Sequence, residues 1–128
     1  MKCLKKTTFL SKPEKSKSGQ EFRHLRIIVS DSDKNNEQIV VSVTSLKFDN
    51  QDTGCIIHPD EHSFIKHKSI VDFKRTKIMS TIDIINGINK GWLIKKEDIS
   101  DTLLKRIQSA LKQSKFISAE VKSLFPYL

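Results

Sequence analysis

"FRHLRIIVSDSDKNNEQIVVSVTSL", residues 22–46, sets two runs rich in β-branched side chains, residues 25–30 and 39–44, on either side of a polar stretch of Asp, Asn, Ser and Lys. β-branched residues suit a pleated strand, and Asn, Asp and Ser supply turn conformations, so the stretch predicts an antiparallel hairpin. The period of two places Val41 and Val43 on one face and Val40, Ser42 and Thr44 on the other.

Outward from the hairpin, "GCIIHP" predicts a third strand closed by Pro59, and "SIVDFKRTKIM" a fourth with Val71, Phe73 and Ile78 inward. Between them "DEHSFIKHK" reads as a loop. Helices follow. Ser80 or Thr81 can cap a segment whose Ile82, Ile85 and Ile88 share a face, with Gly87 and Gly91 weakening it. "GWLIKK" is a brief extended piece. Ser100 caps "DTLLKRIQSALKQS", where Leu103, Leu104, Ile107 and Leu111 form an apolar stripe at helical spacing. A last short helix is expected over 118–125, ending at Pro126. Strands first and helices after predict an α+β, mainly β, small antiparallel barrel with C-terminal helices.

A chain of 128 residues, 37% hydrophobic and 30% charged, makes one small globular domain. It divides into a basic, flexible arm over 1–20 with a short strand near 7–10, the barrel with its short helix over 21–95, and a helical extension over 96–128. No apolar run approaches the roughly 20 residues of a membrane span. The start lacks the apolar stretch of a secretory signal, so a cytoplasmic protein without membrane contact is expected. Cys3 and Cys55 fit that placement as free thiols, Cys55 as a small core hydrophobe.

The net charge of +8 is uneven: +6 over residues 1–26, −3 over 27–52 and +4 over 53–96. Such a footprint suits a polyanion, because each phosphate neutralised by Lys or Arg releases condensed counterions. Three of the four histidines, His58, His62 and His67, fall in "HPDEHSFIKHKSIVDFKRTKI", residues 58–78, among Lys66, Lys68, Lys74 and Arg75. The fourth, His24, opens the hairpin. Metal-independent RNA cleavage needs a group to take the 2′-hydroxyl proton and another to protonate the leaving 5′-oxygen, and imidazole suits both. It also needs cations for the charge that grows on phosphorus. His24, His62 and His67 are therefore the candidate acid and base, with Lys66 and Arg75 as the cations. Arg23, Arg26, Thr44, Lys68, Ser69 and Lys74 are candidate nucleic-acid contacts.

Other chemistries fit poorly. Pro59 opposes a helix through His58, and Glu61 stands three residues after that histidine where zinc proteases have it one after, so no metal and no cofactor are expected. No GxSxG elbow or GxxxxGK[ST] loop occurs. Phe22, Phe48, Phe64 and Phe73 read as core rather than a base-stacking platform, with Phe64 conspicuous as an apolar residue in a charged loop.

"HLRIIVSDSDKNNEQIVVSVTSLK" resembles the opening hairpin of the MazF/PemK-like toxins, and "HSFIKHKSIVDFKRTKI" is similar to small PemK-like proteins with an H-P-F-(I/V)-x-H-x-S-x-V core. The resemblance covers about residues 22–90. It implies an SH3-like barrel, a homodimer, cleavage of single-stranded RNA without metal and an antitoxin that fills the groove. Thr44 and Ser45 match the Thr/Ser ending the second long strand, and the resemblance thereby implies Ser45 as a further nucleic-acid contact. Asp72 or Arg75 match the later acid and arginine, and His24 falls where the toxins carry the arginine of their RP element. The E-x-x-G-x-R-P loop and the RCDQ-like segment are missing. The function expected is a toxin-like endoribonuclease of a toxin–antitoxin or defence system. The alternatives are a non-catalytic barrel of the same kind binding nucleic acid or a protein, and a structural or immunity-type component.

Overall fold

The structure, a computed structural model, describes residues 4–128; Cys3 lies outside the described residues. Its frame is a curled, half-barrel antiparallel sheet of six strands in the order β6-β7-β5-β4-β1-β8. These are β1 (Thr8–Leu10), β4 (Leu25–Ile28), β5 (Glu37–Ser45), β6 (Ile56–Ile57), β7 (Ser69–Ser80) and β8 (Ile94–Lys96). A separate two-stranded hairpin, β2 (Glu14–Lys15) and β3 (Glu21–Phe22), leads into β4.

The expected hairpin is present as β4–β5, in register Leu25↔Val43 to Ile28↔Val40. Its turn is built from local chemistry: the Asp33 carboxylate accepts from the Asn35 and Glu37 amides, and Asn36 takes the left-handed conformation at φ 59°. Both faces of the sheet are covered, so each half of the strand alternation finds apolar partners. Leu25, Ile27, Val41, Val43, Val71 and Phe73 join the larger core, while Phe9, Ile28 and Val40 join a smaller one on the opposite face.

The N-terminal strand near 7–10 is in place as β1, and it lies inside the sheet, between β4 and β8, with its residues buried. The C-terminal helices are likewise part of the main body. Helix α2 (Asp101–Gln113), capped by the Ser100 side chain, buries Leu103, Leu104, Ile107 and Leu111 against the larger core. Each such side chain contributes roughly 1.5–3 kcal/mol when withdrawn from water. Helix α3 (Ala119–Lys122) is shorter than expected, and Pro126 sits inside a following 3-10 turn rather than ending the helix. A 3-10 turn tolerates proline near its start because the amide there has no intrahelical partner.

Helix α1 (Thr81–Asn89) begins as expected, with the Ser80 hydroxyl accepting from the Asp83 amide. Its inward face differs. Ile84 and Gly87 are buried, Ile85 and Ile88 half-buried, and Ile82 is exposed. The helix lies on the smaller core, where Phe9 and Leu93 receive Ile84. Gly87 permits this approach: a Cβ there would stand 2.7 Å from Leu93 Cδ1.

Strand β7 carries the sheet's main irregularity. It pairs with β5 from Glu37↔Ser80 to Val40↔Lys77, then resumes at Ser42↔Asp72. Residues 73–76 therefore stand against Val41 alone. A bulge of this kind bends the strand and redirects its side chains. Among the described residues no helix is long and apolar enough to cross a membrane.

Candidate nucleic-acid interface

One open cleft, of about 650 Å³, gathers residues from four parts of the chain. The β2–β3 arm and the start of β4 supply Phe22, Arg23 and His24; the end of β5 supplies Thr44 and Ser45; the loop before β7 supplies Phe64, Lys66 and His67; the bulge supplies Arg75. Ser69, at the start of β7, completes this set. Eight of the residues singled out from sequence thus line one concavity, and the leading imidazole of the first long strand faces the cationic loop after Pro59.

His24 is held by its backbone, whose amide donates to Ser11 Oγ at 3.0 Å, and its ring meets Phe22 edge-on at 5.1 Å. Nε2 lies 3.1 Å from Glu14 Oε2 and 3.4 Å from Arg75 Nη1. With a proton on Nε2 the ring donates to Glu14; without it, Nε2 accepts from Arg75. Nε2 thus has a protein partner with or without the proton. Arg75 is positioned by Asp72, whose Oδ2 is 3.4 Å from Nε. Arg23 is tied down by donating to the Ser11 and Trp92 carbonyls, each at 3.1 Å. Ser69 donates to the His67 carbonyl and so shapes the loop rather than presenting a free hydroxyl.

Four sequence candidates lie elsewhere. His62 is 3% exposed and does not line the cleft. Its Nδ1 accepts from the Phe64 amide at 3.1 Å, which leaves the proton on Nε2, facing the Glu97 carbonyl at 2.9 Å and Thr8 Oγ1 at 3.2 Å. Both nitrogens are engaged, so this histidine clamps the loop to β1 and to the segment after β8. Arg26 is 8% exposed on the opposite face, because it alternates with Leu25 and Ile27 along β4. Lys74 points to the C-terminal segment, its Nζ 4.8 Å from the centre of the Phe116 ring. Lys68 is exposed but does not line the cleft; its carbonyl accepts from the Leu46 amide.

The four phenylalanines expected in the core do not all lie there. Phe73 is core, but Phe22 and Phe64 are 39% and 37% exposed and line the cleft, and Phe48 is exposed as well. An apolar residue in a charged loop was the visible sign at Phe64; nothing local marks Phe22. Ile65, next to Phe64, anchors the loop, buried in the larger core.

Flanking charges hold the loop. Glu61, the last residue of the 3-10 turn Pro59–Glu61, pairs with Arg106 of α2 and accepts from the His58 amide at 2.9 Å. Partial burial works against ionisation, but these hydrogen bonds and the Arg106 charge prevail and hold its carboxyl below the usual range. Burial pushes the Cys55 thiol up, in keeping with a core residue. No group of three or more His, Cys, Asp or Glu among the described residues is arranged to hold a metal ion. No protein-family model matches the chain, and no curated protein matches it.

Proposed function

We propose that the curled sheet is an SH3-like barrel of the MazF/PemK-like kind and that the cleft binds single-stranded RNA and cleaves it without a metal. The observation that carries this reading is the meeting of His24, Arg75, Lys66 and His67 in one cleft beside Thr44. Lys66 and Arg75 attract the backbone phosphate, and Phe22 and Phe64 offer ring faces to unstacked bases. One of the two imidazoles takes the 2′-hydroxyl proton as that oxygen attacks phosphorus. The P–O5′ bond breaks, and the other imidazole protonates the departing 5′-oxygen, leaving a 2′,3′-cyclic phosphate and a 5′-hydroxyl. In this reading an acidic antitoxin segment competes for the same cations, and the functional unit is a homodimer.

Incubation with RNA in EDTA tests the proposal. Cleavage should fall by about 10²–10⁴ in His24→Ala and His67→Ala proteins that melt normally. Intact RNA at large excess of folded wild-type protein would remove the nuclease reading. Glu14, on His24 Nε2, favours a second reading in which the cleft binds RNA and leaves it whole. Binding that weakens with salt while RNA stays uncut would select it.

A further inference from the structure

On the opposite face of the sheet, under α1, a second cavity of about 630 Å³ lies among Arg26, Lys77, Lys12, Lys90, Trp92, Glu14 and Asp83. We propose that this cavity is a binding site for a phosphate group, with Arg26 and Lys77 as its charged ligands and Lys12 and Lys90 beside Trp92 at its rim. The inference does not depend on the reading of the cleft.

Arg26 carries the argument. It is buried, yet its Nη1 finds no hydrogen-bond partner among the described residues. Ser42, directly across the β4–β5 ladder, is buried with its Oγ equally unpartnered. A buried guanidinium nitrogen without a hydrogen-bond partner is costly, and such groups are ordinarily satisfied. Four cations face two carboxylates here, and Glu14 is shared among His24, Arg26 and Lys77. Burial lowers the affinity of Arg26 for its proton, with Arg75 adding to the effect and Glu14 opposing it. Partial desolvation and the Arg26 charge do the same at Lys77. A tetrahedral oxyanion reverses both effects and supplies acceptors in the fork geometry that a guanidinium matches. The cavity is of the size that holds a nucleotide-sized ligand. Lys12 and Lys90 stand 5.2 Å and 4.8 Å from the Trp92 ring centre, so both ammonium groups are kept at the mouth.

Trp92 is the sole tryptophan, so its fluorescence reports on this cavity. Inorganic phosphate, titrated against chloride at constant ionic strength, should give a saturable fluorescence change and a matching heat by calorimetry. Lys77→Gln, at an exposed position, should raise the half-saturating concentration at least about tenfold, since a hydrogen bond to a charged group is worth that much or more. Arg26→Gln should do so too if it folds. Lys66→Gln, in the cleft, should leave the half-saturating phosphate concentration read from Trp92 fluorescence unchanged. Counting only the binding that Lys77→Gln removes, a tighter hold on adenosine monophosphate than on a single-stranded hexanucleotide assigns the site to a small phosphomonoester; the reverse order assigns it to an RNA backbone, and either supports a phosphate site. Absence of both heat and fluorescence change, or a response that Lys77→Gln leaves intact, overturns the proposal.

Discussion

Replacing His62 by alanine separates structure from chemistry in a loop that carries three histidines. The ring accepts one hydrogen bond and donates to the Glu97 carbonyl, and the change orphans the Phe64 amide beside a new void. Two hydrogen bonds at about 1 kcal/mol each, with a further 1–2 kcal/mol for the stranded amide, predict a loss of about 3–4 kcal/mol. For a domain of this size that lowers the melting temperature by roughly 9–16 °C. His67→Ala, at an exposed position in the same loop, should shift stability by no more than about 0.5 kcal/mol. Urea unfolding of the three proteins, with RNA binding measured on each at a temperature where all are folded, makes the comparison. A His62→Ala protein as stable as wild type but unable to engage RNA would refute the clamp and return His62 to the site.

Three further outcomes follow from the geometry. Glu61 has a lowered folded-state pKa, so its contribution is present above the ordinary carboxylate value of about 4.3 and lost as pH falls through the folded value. Urea midpoints of wild type and Glu61→Gln should differ at pH 7 and draw together as pH falls below the ordinary carboxylate range, and a constant gap would contradict the Arg106 pairing. Gly87→Ala should destabilise by about 1–2 kcal/mol through contact with Leu93, yet stabilise by up to about 1 kcal/mol in a Leu93→Ala background, where only helix propensity remains. Equal effects in both backgrounds would show that α1 does not rest on Leu93. Phe64→Ala should weaken single-stranded RNA binding by about 1–3 kcal/mol with an unchanged salt slope. Lys66→Gln should instead lower that slope by about 0.7, and the opposite pattern would exchange their roles.

What could be read from sequence was local. The β4–β5 hairpin announces itself through β-branched runs and an Asp-Asn turn, and α2 through its apolar stripe and the Ser100 cap. The face of α1 was not legible, because Ile82 and Ile84 are chemically alike and only the position of Phe9 and Leu93 selects between them. The same holds for the histidines: His62 and His67 share a loop, and which one is buried depends on Thr8 and Glu97, distant in sequence. Arg26 looked like a surface cation because covering both faces of β4 needs β1 and α1, whose placement is non-local. The cleft was legible in its cations and imidazoles, and its ring faces were not.

The placement of β1 between β4 and β8 also bears on how the molecule is made. Residues 94–96 must leave the ribosome before residues 8–10 can pair on both sides, so Phe9 waits through most of synthesis for its final neighbours. Contacts that span so much of the chain slow folding, and until they form the outer backbone of β1 is an open edge on which a second nascent chain can add.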